Sequence, residues 1–301
     1  MIILIAFISH WFLSLFMHSF FLHRYAAHQM FKMSPFWEKF FFFLTYLVQN
    51  SSFLSPRHYA ILHRMHHAYS DTEKDPHTPL LYPNPIIMIW KTREIYSRLV
   101  DGKVDIEDRF KGGYPTWGKV ESFMESRFSR ILWGAIFVGF YIAFATAWWQ
   151  FLLLPLHWLM SPLHGLIVNW FGHKNGYTNF DNEDNSKNTF PVDIIMLGEL
   201  FQNNHHYRPL NPNFAARWFE VDPVYVVMQP MRWLGITKFT RTKEQRKEHI
   251  TADEFAARTL EFLHQAEENL MPKKRKLAPV AAKNTSNGLG ATAQRTPDAD
   301  A

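Results

Sequence analysis

The segment His63-Arg64-Met65-His66-His67 places three histidines within five residues. On a helix, positions i, i+3 and i+4 share one face, so all three imidazoles are able to point into one pocket. Neutral imidazole is a good ligand for iron, copper, zinc and nickel, whereas a buried ring that serves only packing still needs hydrogen-bond partners. A solvated basic surface helix is the alternative for this segment taken alone. The spacing favours a metal site.

Two further groups of histidines strengthen this interpretation. The segment from His23 to His28 is an H-x-x-x-x-H pair, and the segment from Gln202 to His206 ends in two adjacent histidines. Residues five apart lie about 140° apart on an ideal α-helix, so the first pair fits a helix end where the backbone begins to unwind. With His173 included, eight imidazoles become available, which is enough for two metal ions.

The order of these motifs resembles that of the membrane fatty-acid desaturases of the acyl-CoA type. The similarity runs from about His18 to Pro209, and it includes Asp75-Pro76-His77 after the second histidine box and an N-x-x-x-H motif that begins at Asn169. The resemblance implies an all-α fold, an integral membrane helical bundle with a cytoplasmic helical cap that carries the di-iron site. It also implies two non-haem iron ions that activate dioxygen, and an oxidoreductase that removes two hydrogens from an acyl chain.

The resemblance also implies which residues form the site. Matched position by position, the metal-ligating and catalytic residues are His23, His28, His63, His66, His67, His173, His205 and His206. Asn169 matches the family asparagine that reaches one iron through a water. Gln202 departs from the pattern, because many acyl-CoA desaturases carry histidine at that position. Its carbonyl oxygen could still coordinate iron or hold a bound water, so Gln202 stays among the candidate ligands and the acyl carrier stays open.

Carboxylates near the boxes are candidates for supporting the ligands. Asp71 and Asp75 follow the second box, and ligating imidazoles usually donate their other N–H to a carboxylate or carbonyl, with ordinary solvated charges as the alternative. Glu199 precedes the third box and either supports an imidazole or is an exposed helix residue. His77 lies between two prolines and is expected to be a turn residue.

Two residues of the segment before His173 are also candidates. His164 lies about one turn before Asn169 inside the predicted span and is a candidate partner of a ligand, although a hydrogen-bonded histidine inside the bundle is the alternative. Trp170 is, by resemblance, a candidate wall of the acyl tunnel, with core packing as the alternative.

Composition and hydropathy indicate a multi-pass integral membrane protein. The chain is 47% hydrophobic and 17% aromatic, with 28 Phe and 11 Trp. Three net spans are predicted, over 2–22, 131–151 and 152–171. A fourth apolar segment, 36–54, is expected to make no net crossing, because one crossing would put the first two boxes on opposite sides of the membrane. Arg24 and Lys32 follow the first span and place all the boxes on the cytoplasmic side.

The rest of the chain divides into one domain and a tail. Residues 57–75 are predicted as a helix, 80–130 as a cytoplasmic insertion that caps the site, and 193–206 as a helix that ends in the third box. Residues 1–271 form the predicted desaturase domain. Residues 272–301 are expected to be disordered, with the basic run Lys273–Lys276 touching anionic lipid.

The same patterns restrict the possible functions and partners. The absence of cysteine excludes disulfides and thiolate metal sites. The net charge is +5, and no basic stripe with stacking aromatics indicates nucleic acid. We expect an acyl-CoA or lipid-linked acyl substrate and membrane lipid as partners. No His-Pro-Gly-Gly haem signature is visible, so electrons are expected from a separate ferredoxin-like or cytochrome-like donor.

The predicted activity is the introduction of a cis double bond, with delta-9 the commonest position in the resembling family, while O2 is reduced to water. A histidine-box membrane hydroxylase would carry the same motifs and insert oxygen instead. A non-enzymatic metal carrier is disfavoured, because its polar residues should lie near mid-membrane and these boxes lie at segment ends. A haem protein is also disfavoured, because rings clustered on one face do not present two axial ligands.

Overall fold

A computed structural model describes residues 1–251, together with residues 254 and 257. The regular secondary structure of this part of the chain is helical apart from one short antiparallel sheet of β1 (Phe31–Lys32) and β2 (Lys238–Phe239), in agreement with the predicted all-α class. The α-helices, in chain order, are α1 (Ile2–Met17), α2 (Pro35–Gln49), α3 (Pro56–Tyr69), α4 (Pro85–Val100), α5 (Gly118–Glu125), α6 (Arg127–Phe144), α7 (Leu154–Trp158), α8 (Met160–Gly172), α9 (Gln202–Tyr207) and α10 (Pro223–Trp233). The predictions for 272–301 and for Lys273–Lys276 lie outside the described residues.

The first helix changes its winding where its histidines begin. A π-helix, π1 (His18–Ala27), continues α1 without a break. In a π-helix the backbone hydrogen bonds join residues five apart, and the His28 N–H donates to the His23 carbonyl at 3.1 Å. The two histidines therefore lie one turn apart on the same side, and the 140° offset of an α-helix does not arise.

Some of the helices are suited to a bilayer. Among the described residues, Ile2–Ala27 and Arg127–Phe144 are long and apolar enough to cross a membrane. The pair Trp148–Trp158 and Met160–Gly172 passes the same test together but is bent by 71°, which gives up to three spans by length and composition. Helix α2 has 15 residues and a length of about 22 Å, which is less than the roughly 30 Å of the hydrocarbon core.

The second histidine box lies at the end of a well-defined helix. Helix α3 begins at Pro56, a position that suits proline because the first helical N–H has no partner within the helix. The helix ends at Tyr69, so His63, His66 and His67 all lie in its last two turns.

The prediction of a helix over 193–206 was wrong. The segment before α9 consists of turns, and the helix begins only at Gln202. Leu197 and Gly198 have φ values of 53° and 89°, in the left-handed region that interrupts right-handed winding. The Asp193 carboxylate also accepts hydrogen bonds from three backbone N–H groups of this segment, which competes with helical pairing.

A buried arginine joins the first two boxes without any metal. Arg64, on α3, is 2% exposed and donates to the carbonyls of Ala26 and Ala27 at the end of π1. It also donates to the carbonyls of Phe110 and Gly112, in the segment between α4 and α5. Carbonyls at a helix C-terminus have no partner within the helix, and a cation there is favourable. Arg64 therefore fixes α3 against π1.

Candidate metal centre

Five histidines from three separate segments meet in one buried group, which we call the five-histidine cluster. One ring nitrogen of each lies within 4.8 Å of the others, and the members are His23, His28, His63, His67 and His205. The Nε2 atoms are 2.9 Å apart between His23 and His205, and 2.8 Å apart between His28 and His63. His67 Nε2 lies 3.1 Å from that of His63 and 3.0 Å from that of His205.

These distances fit imidazoles that share one ion. Metal–nitrogen bonds of about 2.1 Å that meet at right angles place neighbouring nitrogens about 3.0 Å apart. Hydrogen bonding alone is a poor explanation, because a neutral imidazole has only one N–H and the nitrogens meet in a continuous series of close contacts. Burial is the main cause that lowers the pKa of His63, His67 and His205 well below the usual value, and the neighbouring histidines lower it further. These rings are therefore neutral at pH 7, the form that binds metal.

Three more histidines form a second group beside the first, which we call the three-histidine cluster. It consists of His66, His173 and His206, with one ring nitrogen of each within 4.8 Å of the others. Their Nε2 atoms are buried and make no hydrogen bond within the described part of the chain. Buried ring nitrogens without partners are costly unless an ion binds them, so this group also fits a metal.

Each ring of the three-histidine cluster has its own carboxylate on the opposite nitrogen. His66 Nδ1 lies 3.0 Å from both oxygens of Asp75, His173 Nδ1 lies 3.3 Å from Asp71, and His206 Nδ1 lies 2.5 Å from Asp184. A carboxylate at Nδ1 keeps the proton there and turns the Nε2 lone pair toward the ion. Asp71 and Asp75, the two candidate supporting carboxylates, thus each contact one ring of this cluster.

The pKa values of these acids agree with an ionised state. Burial would raise the pKa of Asp75, but the charge of His66 and its hydrogen bond hold that pKa at about 2. Burial opposes ionisation of Asp184 in the same way, and His206 outweighs it and lowers the pKa. For His66 the carboxylates of Asp75 and its neighbours outweigh burial and raise the pKa of the imidazole.

The second and third boxes each contribute to both clusters. His63 and His67, one α-helical turn apart, point into the five-histidine cluster, whereas His66 points into the other one. The adjacent residues His205 and His206 divide in the same way. The expectation that all three histidines of α3 point into one pocket is therefore corrected to two adjacent pockets. The ring centroids of His67 and His206 are only 4.4 Å apart, so the two groups are in contact.

Gln202 and Asn169 make polar contacts to the backbone. Gln202 is buried and donates its side-chain N–H to the Glu199 carbonyl at 2.6 Å. It packs directly on Gly172, where an added Cβ would lie 2.5 Å from the Gln202 Cγ. Asn169 is half-buried and donates to the Gly165 carbonyl at 2.8 Å. Gly172 thus allows the end of α8, and with it His173, to approach the third box closely.

The two other candidates from the α8 segment lie further from the clusters. The His164 ring packs edge-on against Trp11, with centroids 4.7 Å apart, and lies 6.4 Å from the ring of His18. His18 in turn contacts Tyr59, which stacks on the ligand candidate His63, so two rings separate His164 from the five-histidine cluster. Trp170 is half-buried, and the Lys174 Nζ lies 3.7 Å from its ring centroid.

Three residues at the site had little or no signal in the sequence. Asp184 has no signal, because nothing in its spacing connects it to His206. Glu199, for which the sequence allows two roles, lies 2.7 Å from His23 Nδ1, and His23 and Arg24 hold its pKa at about 2 against burial. His77 is in a turn, as expected, but its ring is buried 4.3 Å from that of His66, and His66, Asp75 and His77 form a further possible donor group.

A cavity opens beside the point where the two clusters meet. It has a volume of 220 Å³ and is lined on one side by His67, His206 and Asp184. Its other walls include Tyr69, Thr72 and Ile250, so polar and apolar groups both line the cavity. One ring of each cluster, His67 and His206, therefore borders this cavity.

Comparison with known proteins identifies the family. The model of the fatty acid desaturase family matches residues 1–237, which include every histidine of both clusters. The chain belongs to the fatty acid desaturase family. Members of this family are membrane-associated oxidoreductases that use a di-iron centre, and the two buried clusters could bind metal.

Relatives within the desaturase family use different acyl carriers. An sn-1 stearoyl-lipid 9-desaturase of Synechocystis sp. is 27% identical over 72% of this chain and 64% of its own length. An acyl-CoA 5-desaturase of Anemone leveillei is 25% identical over 71% of this chain and 64% of its own length. A hex-5-enoyl-(acyl-carrier protein) acetylenase of Moorena producens is 27% identical over 76% of this chain and 74% of its own length. The chain thus spans slightly less than two thirds of the first two relatives.

Proposed function

We propose that the protein is a multi-pass membrane fatty-acyl desaturase of unsaturated fatty acid biosynthesis. It introduces a cis double bond, most commonly delta-9 in this family, into a saturated acyl chain carried by CoA or by a lipid. The observation that carries the proposal is the pair of buried clusters with eight convergent imidazoles. Three of them, His23, His28 and His173, lie at or just beyond the ends of helices that are candidates to span a bilayer. The names of the relatives, which include lipid and CoA 9- and 5-desaturases, support the substrate class.

The donor atoms suit two iron ions. The five-histidine cluster would hold one ion and the three-histidine cluster the other, with Asn169 and Gln202 as the further candidates that the family pattern implies. His77 is an additional candidate beside His66. Imidazole nitrogen is a borderline donor that suits iron, and the absence of thiolates leaves histidine as the main ligand type. When bound, the two irons would supply the activation of dioxygen.

The residues of the protein fix the orientation of the candidate ligands. Asp71, Asp75 and Asp184 hold the protons of their imidazoles at Nδ1, and Glu199 does the same for His23. Arg24, which is fully buried, pairs with Glu199 at 3.1 Å and with Asp222 at 2.7 Å, so the carboxylate behind His23 is itself held in position. Such support fixes the ring orientation and raises the affinity for metal.

The reaction requires an acyl chain, O2, electrons and protons at the site. A methylene pair and one O2, with two electrons and two protons, give one double bond and two molecules of water. The electrons come from an external donor of the ferredoxin or cytochrome type on the cytoplasmic side. The acyl chain has no acidic group, so the rate depends on holding one methylene pair at the site, and Trp170 is the candidate wall for this purpose.

The test is fatty-acid analysis by gas chromatography with mass spectrometry in a host that lacks desaturases and has a competent electron donor. We expect a new cis double bond with the intact chain and none with His66→Ala. An exposed carboxylate of the loop near the site, Asp181, offers the matched control, since Asp181→Asn should retain the product. A hydroxy acid would assign the protein to the hydroxylases instead. The absence of any product, with iron bound to the protein, would contradict both activities.

A further inference from the structure

We propose that residues 190–200 form a loop that dips into the hydrocarbon of the membrane beside α1 and is held in shape by Asp193. The proposal rests on the membrane insertion of α1 that the proposed function includes. Residues 193–200 belong to the helix predicted over 193–206, but in the structure they form turns that lead into the third histidine box.

The outer face of the loop is apolar and exposed. Phe190 is 48% exposed, Val192 50%, Ile194 60% and Ile195 63%. Four large apolar side chains exposed within six residues are unfavourable in water, because their apolar surface gains no free energy of burial. A contiguous patch of this kind marks a surface that another apolar phase covers.

The loop is attached to the middle of a candidate membrane span. The Trp11 Nε1–H of α1 donates to the Ile195 carbonyl at 3.1 Å. Behind the exposed face, Met196 and Leu200 pack with Leu15 of α1, and Ile167 and Val168 of α8 lie against the same cluster. Twelve residues separate Trp11 from His23, so Ile195 lies roughly 15 Å below the metal centre along the helix. This depth is within the hydrocarbon if α1 spans the membrane.

The backbone of the loop is unusually well provided with hydrogen bonds. Asp193 Oδ1 accepts from the Met196 N–H at 2.9 Å, and Oδ2 accepts from Gly198 at 3.1 Å and from Leu200 at 2.9 Å. Non-helical backbone is tolerated at membrane depth where it is packed against protein, as the side of the loop with Met196 and Leu200 is. Asp193 provides an internal acceptor for three N–H groups of this packed side.

Lipid is the occupant that the surroundings favour. Ile8 lies one turn before Trp11 on α1 and is 55% exposed, so the loop continues an apolar surface that the span itself presents. The loop then leads directly to Glu199, which contacts His23, and to His205 and His206. Its insertion would therefore position the third box relative to the bilayer as well as to the other boxes.

The test uses single cysteines, which are unique labelling sites because the natural chain contains none. Ile194→Cys is labelled with an environment-sensitive fluorophore in the full-length protein, reconstituted in phosphatidylcholine vesicles with and without spin-labelled lipid as quencher. Ile8→Cys reports on the span, and Asp105→Cys, in an exposed loop, reports on water. We expect blue-shifted emission and quenching at position 194 of at least half that at position 8, and neither at position 105.

The outcomes separate this proposal from the proposed function. Water-like emission at position 194 together with lipid-quenched emission at position 8 would overturn the loop alone. Water-like emission at both positions would overturn the membrane insertion of α1 and the loop with it. A third variant combines Asp193→Ala with Ile194→Cys, and we expect its quenching to fall several-fold. Its control combines Asp193→Ala with Ile8→Cys, and we expect the quenching at position 8 to persist. Unchanged quenching at position 194 would show that Asp193 does not shape the loop.

Discussion

The five-histidine cluster and the three-histidine cluster use the same helices but are supported in different ways. In the first, the Nε2 atoms contact one another at 2.8–3.1 Å, and one carboxylate, Glu199, lies behind His23. In the second, every imidazole has its own carboxylate on Nδ1. The first cluster has many donors, and the second has few donors that are each held in orientation.

This difference suggests where each site is vulnerable. Loss of one imidazole leaves four in the five-histidine cluster but only two in the other. Loss of a carboxylate should weaken the three-histidine cluster, because the orientation of each ring depends on a single partner.

The neighbours His66 and His67 offer the most direct comparison. We expect both His66→Ala and His67→Ala to lower product formation by at least about 100-fold, because each removes a metal donor. The iron content should differ: His66→Ala should retain about one iron per chain, whereas His67→Ala should retain more than one, since four imidazoles remain. Elemental analysis of the purified protein measures this. Equal iron loss in both variants would show that the clusters act as one site.

Asp184 tests the role of the carboxylates. We expect Asp184→Asn to weaken the metal affinity of the three-histidine cluster by about 10- to 100-fold, because the amide no longer holds the proton on His206 Nδ1. Titration with a chelator, followed by iron analysis, measures the loss. Asp181→Asn removes a carboxylate of the same loop that is exposed, and iron retention should be unchanged. A similar loss in both variants would point to the net charge of the loop and not to the hydrogen bond.

Gly172 tests the contact between α8 and the third box. A Cβ at this position would lie 2.5 Å from the Gln202 Cγ, so we expect Gly172→Ala to destabilise the protein by about 2 kcal/mol. The strain should weaken the cluster that contains His173 first. Gly165→Ala is the matched control on the same helix, because its nearest neighbour would be 3.9 Å away and alanine favours helix. Thermal unfolding in detergent compares the two, and equal stability would contradict the close packing.

Gln202 should have the smallest effect. We expect Gln202→Ala to weaken iron binding by less than about tenfold, because an amide oxygen is a poor donor beside imidazole. Iron content after chelator treatment measures this, with His66→Ala as the reference for loss of a full ligand. A loss as large as that of His66→Ala would show that the amide is an essential ligand of the three-histidine cluster.

Much of the site was predictable from the sequence because histidine spacing is a local property. The boxes at His23, His63 and His205 are visible as short motifs, and carboxylates close in sequence to their histidines, such as Asp75 near His66, follow from the same reasoning. The candidate spans were also predictable, since apolar length is read directly from the chain.

The rest depended on contacts between distant segments. Asp184 meets His206 only because the loop after α8 folds back, and no spacing rule connects the two. The division of His66 and His67 between clusters depends on how α3 packs against π1. The helix predicted for 193–206 failed because apolar periodicity does not reveal the left-handed Leu197 and Gly198, nor a carboxylate that captures backbone N–H groups.

The contacts of Arg64 have a consequence for biosynthesis. All four carbonyls that it binds belong to the first 112 residues, so α3 and π1 can be joined as soon as that part of the chain has been made. His205 is synthesised more than ninety residues later, or about 5 to 20 s at ordinary ribosome speeds. During that time His23, His28, His63 and His67 can already face one another. The nascent chain therefore presents a four-imidazole site, which favours loading of the five-histidine cluster before the other one is complete.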